Sequence, residues 1–157
     1  MKMINMMGHK VDFCTPEGEH LRTIEPCGLV VRVDMKNEVV KYMDEQTGIP
    51  CFRVSLGKPY YEDLEGKEVW PGEEYLDVHA GETIGIIVSR NAAESLWYVE
   101  QDDYDWNEIA LIGARLKIDI SVFAPHKSVF VAGRRCGAEG LSYFCDLDTT
   151  YDEEESE

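Results

Sequence analysis

Residues 83–94 of this 157-residue chain read TIGIIVSRNAAE, and this stretch carries the clearest structural signals in the sequence. Thr83–Ser89 is rich in β-branched residues and almost continuously apolar, which is typical of a central β-strand. Asn91 is a helix-capping residue with Glu94 three positions on, a pattern that marks the start of a helix. Gly85 has no side chain inside the strand, which predicts that another backbone approaches closely there. The stretch therefore predicts a buried strand that leads directly into a helix.

The downstream sequence repeats the helix-start pattern and then returns to strands. Asp105, with Glu108 three positions on, precedes the apolar run Ile109–Ile112, which predicts a second short helix. Runs rich in β-branched and aromatic residues then predict strands at Arg115–Phe123, Lys127–Val131 and Leu141–Cys145.

The first third of the chain has the pattern of strands joined by tight turns. Val11–Cys14 and the alternating run Leu21–Ile24 flank a turn that contains Pro16 and Gly18, and together they predict a β-hairpin. Further strands are predicted at Leu29–Val33 and Cys51–Leu56.

Two segments are less regular than the rest. In Met35–Glu45 the apolar residues recur at helical spacing after Asp34, a capping residue, so a helix is one interpretation of an ambiguous segment. Residues 57–82 are rich in Gly, Pro, Tyr and Glu and are interpreted as a long excursion with short strands. The whole predicts an α+β fold: one mainly β domain over residues 1–146, with a small or barrel-like sheet and two short helices. Residues 147–157 are predicted to be an acidic, disordered tail.

Acidic residues are concentrated in a few segments of the chain. Of 31 Asp and Glu residues, 20 lie in residues 62–77, 94–108 and 146–157, which contain a single base, Lys67. The rest of the chain holds 11 acids against 14 Lys and Arg, so a slightly basic body carries acidic attachments. The formal net charge of −16 disfavours direct binding of nucleic acid or of anionic membranes and favours basic partners.

The sequence carries no recognised metal, cofactor or catalytic motif. Its four His residues lack ligand spacing, and its five Cys residues include no C-x-x-C pair, so free thiols and neither metal nor cofactor are expected. Cys136 follows two arginines, which favour a thiolate, but no neighbouring base is identifiable, so a small hydrolase is only a distant alternative. The longest apolar run is too short to span a bilayer and no leader is recognisable, so a cytoplasmic location is expected.

Several short motifs, taken in order, define a resemblance. They are Asn5-Met6-Met7-Gly8-His9, Pro26-Cys27-Gly28 with Arg32, Gly48-Ile49-Pro50, Ile87-Val88-Ser89 and, more loosely, Ala124-Pro125 and Gly140–Phe144. The set resembles a family of short uncharacterised proteins from bacteria and their phages that typically open with Asn-Leu-Thr-Pro-His. Here the outer Asn5 and His9 are kept and the Thr-Pro is replaced. The resemblance implies a cytosolic, phage-associated protein, located in the host cytoplasm if it is phage-encoded, and brings no established activity.

Polar residues of the slightly basic body supply a candidate binding site. Arg suits a bidentate grip on phosphate or carboxylate, and an amide with an imidazole would fix a polar group of the ligand. The candidate ligand-binding residues are Asn5, His9, Arg32, Arg53, Arg90 and Arg115. The alternatives are that Asn5 and His9 form a buried structural pair, and that the arginines make scattered surface ion pairs.

The acidic segments supply a second candidate surface. Spaced carboxylates imitate the phosphates of nucleic acid, and the aromatic residues among them provide the contact area that interfaces prefer. The candidate partner-binding residues are Tyr61, Trp70, Trp97, Asp102, Asp103 and Trp106. The alternative is a solvated acidic face whose aromatic residues turn into the core.

We therefore expect a non-enzymatic, phage-associated binding protein that acts on a host process, of the counter-defence type. The first hypothesis is that it binds a small anionic, nucleotide-like ligand. The second is that it antagonises a basic host protein by imitating nucleic acid. A homo-oligomer is left open by the sequence.

Overall fold

The computed structural model describes residues 1–42, 46–100 and 107–150. In chain order these ranges contain strands β1 (Lys2–Asn5), β2 (Val11–Cys14), β3 (His20–Ile24), β4 (Val30–Tyr42), β5 (Pro50–Glu62) and β6 (Thr83–Ile87), helices α1 (Arg90–Glu100) and α2 (Glu108–Leu116), and strands β7 (Asp119–Val131) and β8 (Arg134–Leu147). A single 3-10 turn, Glu73–Tyr75, lies between β5 and β6. The predicted α+β fold, mainly β with two short helices, is confirmed.

Six of the strands form one open mixed sheet in the order β1-β6-β7-β8-β2-β3, with β1 and β3 at its edges. The strands β1, β6 and β7 are parallel, and β8 returns antiparallel to β7. The predicted hairpin is confirmed as the antiparallel pair of β2 and β3. This hairpin joins the rest of the sheet through a parallel contact between Phe13 of β2 and Ala138 of β8.

The strand β6 lies at the centre of the hydrophobic core. Ile84, Ile86 and Ile87 are fully buried, because neighbouring strands flank β6 and because helices α1 and α2 contribute side chains to the same core. The predicted central strand is therefore confirmed. The reason given for Gly85 is wrong, since an added Cβ would lie 2.7 Å from the Met3 sulfur and 2.9 Å from a Phe123 ring carbon. Side chains of the flanking strands, and not a backbone, occupy the space above this glycine.

Both helices begin near their predicted starts, with different capping residues. The Ser89 hydroxyl accepts a hydrogen bond from the Ala92 N–H at 3.2 Å, so Ser89 takes the capping role that was predicted for Asn91. The buried Asn107 side chain caps α2 and accepts hydrogen bonds from two backbone N–H groups, at 2.8 and 3.3 Å. The predicted cap of α2, Asp105, lies outside the described residues.

The strand predicted at Arg115–Phe123 begins later than expected. Helix α2 continues to Leu116, and Lys117 ends it in the left-handed conformation with φ of 56°. The sheet therefore resumes at Asp119, and β7 then continues without a break to Val131, joining two strands that were predicted separately.

The helix interpretation of Met35–Glu45 is wrong up to Tyr42, where the chain is part of β4. The strands β4 and β5 pair antiparallel from Val30↔Glu62 to Tyr42↔Pro50 as a separate two-stranded sheet. The start of the predicted excursion, up to Glu62, belongs to β5.

The described part of the chain continues past the predicted domain boundary at residue 146. Leu147 ends β8 and is 5% exposed, and the Thr149 methyl group lies against Gly113 of α2. Most of the predicted tail, residues 151–157, lies outside the described residues. Neither helix within the described ranges has the length and apolar character that crossing a membrane requires.

Candidate functional site

A cleft of about 330 Å³ opens beside the carboxyl end of β6. Five parts of the chain form its walls: the loop between β1 and β2, the start of β2, the start of α1, the middle of β7 and the first residues of β8. The polar residues that line it are His9, Lys10, Asp12, Ser89, Arg90, His126, Lys127, Ser128 and Arg135. Met7, Val11, Pro125 and Ala138 supply its apolar surface. We call this site the cationic cleft.

The sheet topology brings these segments together. Because β1 and β6 are parallel, their carboxyl ends meet at one edge, and the Met6 N–H donates to the Ile87 carbonyl at 2.8 Å there. The Val88 N–H likewise donates to the Phe123 carbonyl at 2.9 Å. The crevice outside the carboxyl ends of parallel strands is where open α/β sheets commonly bind ligands.

The cleft concentrates positive charge in an acidic chain. Four of its lining residues are Lys or Arg, two are His and one, Asp12, is acidic. A hydrogen bond from the Thr23 hydroxyl lowers the pKa of Asp12, opposed by partial desolvation and assisted by nearby cations that include Lys10 and Arg135. Asp12 is therefore ionised at neutral pH and offsets one positive charge. Glu94, 3.8 Å from Arg90 Nε, and Glu139, 3.5 Å from Lys127 Nζ, offset two more, so the cleft keeps a small cationic excess.

Neighbouring groups hold the cleft cations in place. The Arg90 guanidinium carbon lies 5.7 Å from the centre of the Phe144 ring, a cation–π geometry. The Arg135 Nε donates to the Ser128 hydroxyl at 3.0 Å, which leaves the outer guanidinium nitrogens available as donors. The Lys127 ammonium lies 3.5 Å from a Glu139 carboxylate oxygen. The two arginines are thus restrained by neighbouring groups, one at the start of α1 and the other at the start of β8.

Helix α1 adds a further electrostatic contribution. Its first residue, Arg90, and its capping residue, Ser89, both line the cleft. The amino terminus of a helix carries partial positive charge and unpaired N–H groups, both of which favour an anion. The helix end therefore acts in the same direction as the cleft cations.

The two histidines face the cleft with one nitrogen already engaged. His9 Nδ1 lies 2.8 Å from the Lys10 carbonyl oxygen. A carbonyl oxygen only accepts, so this contact places the proton on Nδ1 and leaves Nε2 as the acceptor in the neutral ring. His126 Nδ1 lies 2.8 Å from the Ser142 hydroxyl, which can donate or accept.

Asn5 is a buried structural residue beside the cleft and does not line it. Its side chain is 1% exposed, its Nδ2 donates to the carbonyls of His9 at 2.9 Å and Ile24 at 3.0 Å, and its Oδ1 accepts from the Met7 N–H at 2.9 Å. These hydrogen bonds fit the alternative interpretation, in which Asn5 is a buried structural residue and does not contact a ligand. Asn5 shapes the loop that brings His9 to the cleft.

Of the four predicted arginines, only Arg90 lies in the cleft. Arg32 packs near Gly8 on the β1–β2 loop and lies 3.8 Å from a Glu62 carboxylate oxygen. Arg53 pairs across the β4–β5 hairpin with Glu38, and Arg115 lies 3.6 Å from Glu73. Arg32 and Arg115 therefore make the surface ion pairs of the alternative, and Arg90 makes one as well, with a Glu94 carboxylate oxygen at 3.8 Å.

Sequence reasoning missed most of the cleft cations. Lys10, Lys127 and Arg135 lie far apart in the chain and share no spacing, so no local pattern groups them. In the sequence, Arg135 stands out only as one of the two arginines that precede Cys136. It reaches the cleft because β8 returns alongside β7 and also contacts β2.

Of the predicted partner-binding residues that the structure describes, one is buried and two are exposed. Tyr61 is 4% exposed, accepts from Asn107 Nδ2 at 3.2 Å and donates to a Glu108 carboxylate oxygen at 3.4 Å. Burial, assisted by Glu108, raises the pKa of Tyr61, so its hydroxyl stays protonated and keeps β5 bound to α2. Trp70 is 78% exposed and Trp97 39% exposed. Asp102, Asp103 and Trp106 lie outside the described residues.

Comparisons with protein-family models, with curated proteins and with solved structures found no match to this chain. Among the described residues, no group of three or more His, Cys, Asp or Glu side chains is arranged to hold a metal ion. The groups of the cleft that can contact a ligand are thus its cations, its two imidazoles and the start of α1.

Proposed function

We propose that this protein binds a small phosphate-bearing ligand, of nucleotide type, in the cationic cleft. The observation that carries the proposal is the convergence of Lys10, Arg90, Lys127 and Arg135 on one cleft in a chain of net charge −16. Guanidinium groups donate in pairs to phosphate oxygens, and ammonium groups add point charge. Arg90 and Lys127 also pair with Glu94 and Glu139, whereas Arg135 is held by the Ser128 hydroxyl, so the support for an anion site is that all four cations line one cleft.

Two further observations support the same ligand class. The cleft volume of about 330 Å³ lies at the lower end of the range for small-molecule sites, which suits a mononucleotide better than a longer chain. Three motifs of the resemblance, represented by His9, Ser89 and Pro125, line the cleft although they are far apart in sequence. The proposed setting, a phage-associated protein that sequesters such a ligand in the host cytoplasm, rests on that resemblance.

The proposal is tested first by ligand-dependent thermal stability. Inorganic phosphate, nucleoside monophosphates and cyclic mononucleotides are compared with the uncharged nucleosides. A ligand at 100 times its dissociation constant stabilises the native state by about 2.7 kcal/mol, which raises the melting temperature by several degrees. We expect phosphate-bearing compounds to do so and nucleosides to have no effect. An unchanged melting curve across the whole panel would remove the proposal.

A matched pair of double variants locates the binding site. Arg90→Gln with Arg135→Gln removes two cleft cations, and we expect ligand affinity to fall about 100-fold or more, because each charge-assisted hydrogen bond contributes about 1.5–3 kcal/mol. Arg53→Gln with Arg115→Gln makes the same chemical change and the same change in net charge outside the cleft. Calorimetric titration with the best ligand from the panel measures the dissociation constant of each double variant. Equal loss of affinity in the two doubles would show that only overall charge matters.

The exposed Trp70 favours a second candidate function, antagonism of a basic host protein. Its ring is 78% exposed, and the exposed carboxylates of Glu68, Glu73 and Glu74 are near it in sequence. This is the combination of an aromatic anchor and acidic surroundings that a basic partner would bind. The test is salt-sensitive capture of a basic partner that is lost in Trp70→Ala and kept in Leu64→Ala, a second exposed apolar residue of the same segment. Capture that is insensitive to salt, or equal in the two variants, would argue against this function.

A further inference from the structure

The outer part of the β4–β5 hairpin has one apolar and one polar face. We call residues 34–42 and 50–57 the arm. Directly opposed residues of an antiparallel pair lie on the same face, and successive residues alternate between faces. The pairs on one face are Met35↔Leu56, Asn37↔Val54 and Val39↔Phe52, and those on the other are Lys36↔Ser55 and Glu38↔Arg53. The arm therefore has the alternating pattern of a sheet that covers a hydrophobic surface.

The apolar face of the arm is left open in the single chain. The exposed fractions are 52% for Met35, 46% for Val39, 54% for Phe52 and 57% for Val54. Isolated exposed apolar residues are ordinary, but a continuous apolar face on a two-stranded sheet is typical of an interaction surface. An isolated two-stranded hairpin is also only marginally stable, so a partner layer would stabilise the arm.

Helix α1 and the arm enclose a groove of about 730 Å³. The apolar arm residues Met35, Val54 and Leu56 form one wall, and polar residues of α1 with the ring of Tyr98 form the other. The Ser95 hydroxyl donates to the Gly57 carbonyl at 2.8 Å and fixes the base of the arm to α1. The groove therefore continues the open apolar face towards the body of the protein.

The charge of the arm indicates what kind of partner it accepts. With the residues that join its strands, residues 34–57 hold Lys36, Lys41 and Arg53 against Asp34, Glu38, Asp44 and Glu45, a net charge of −1, so this part of the chain is almost neutral. The chain as a whole carries −16. Two copies would repel each other through their acidic bodies, and the arm is where they can approach with the least repulsion. An almost neutral face binds its partner through apolar contact, and on this face a second copy of the acidic chain meets less repulsion than at the acidic segments.

We propose that the occupant of this face is a second copy of the chain. In a two-fold arrangement the arms pack apolar face against apolar face, and each arm extends towards the groove of the other copy. In a two-fold interface each contact residue is present once in each copy, so its buried area is contributed twice. The half-exposed arm residues and Tyr98 of α1 would bury on the order of 1,000 Å² in total, which is near the lower limit for a specific interface. The polar faces, with Glu38 and Arg53, remain in water.

Analytical ultracentrifugation of matched double variants tests the proposal. The variant Phe52→Gln with Val54→Gln makes the apolar face polar, while Glu38→Gln with Arg53→Gln changes two side chains of the opposite face; neither pair alters the net charge. We expect the wild type to dimerise with increasing concentration. The dissociation constant should rise at least tenfold in the first variant and change less than threefold in the second.

All four changed residues are exposed, so circular dichroism and the melting temperature of the monomeric species are expected to match between the variants. A wild type that stays monomeric from micromolar to millimolar concentration overturns the proposal. Equal weakening by the two double variants overturns it as well, because the apolar face would then have no special part. The result is independent of anion binding, since the arm contributes no residue to the cationic cleft.

Discussion

Replacing Asn5 by alanine is expected to destabilise the native state by about 4 kcal/mol, because it leaves three backbone groups without their partner at a cost of about 1–3 kcal/mol each. These groups are the Met7 N–H and the carbonyls of His9 and Ile24. Two of them lie in the loop between β1 and β2 and the third ends β3, so the loop that carries His9 and Lys10 should lose its fixed shape. The loss is measured as a lower urea midpoint at an unchanged slope.

The control for this prediction is Asn91→Ala, which removes the same side chain from an exposed position on α1. It should change the free energy of unfolding by no more than about 0.5 kcal/mol. If the two variants had equal stability, the three hydrogen bonds of Asn5 would not hold the loop. Asn5 would then have to be reconsidered as a ligand contact.

Replacing Gly137 by alanine is expected to cost about 3 kcal/mol, the upper end of what overpacking usually costs. An added Cβ would overlap the Asp12 carbonyl oxygen and lie 2.9 Å from its carbonyl carbon. Backbone atoms cannot turn aside as a flexible side chain can, so β2 and β8 must separate. The two strands meet through the pair Phe13↔Ala138, next to this glycine. Phosphate binding should weaken along with stability, because Asp12, Arg135 and Ala138 line the cleft at this junction.

Gly140→Ala is the matched control for this substitution. Gly140 lies on the same strand, and nothing comes within 4 Å of an added Cβ there. Its melting temperature and its ligand affinity should stay close to the wild-type values. If Gly137→Ala behaved in the same way, the close approach of β2 to β8 would not constrain the sheet.

The cationic cleft and the acidic exterior have compatible roles. A cleft of one charge sign with low-dielectric walls focuses the field, so a small anion inside it interacts mainly with the nearby cations. Long nucleic acid would also meet the acidic surface outside the cleft, which repels it. The charge distribution therefore favours small anions over polymers.

Local sequence patterns were reliable for the buried central strand and for the hairpin with a clear turn signal. The run Thr83–Ser89 predicted a central strand because its apolar residues leave no face for water, and the hairpin of β2 and β3 followed from its turn residues. The pattern failed for Met35 and Val39. A separation of four residues places both on one face of a helix and equally on one face of a strand, so the spacing could not distinguish the two. The segment is a strand because it pairs with β5.

The cleft itself was only partly predictable. His9 and Arg90 were selected for their side-chain chemistry, and they are cleft residues. Arg32, Arg53 and Arg115 have the same chemistry but lie elsewhere, because β4, β5 and α2, which carry them, lead to other surfaces. Side-chain type identifies a candidate cation and gives no information about its neighbours in space.

The amino-acid sequence by itself determined the class of fold, the central strand, the two helices and the uneven distribution of charge, since these depend on composition and on residues a few positions apart. The tertiary structure alone decided which cations share a cleft. Lys10, Arg90 and Arg135 meet because β1 ends beside β6 and because β8 returns between β7 and β2. That strand order results from pairing between distant segments, where many arrangements satisfy the same local preferences and only the packing of the whole sheet selects one.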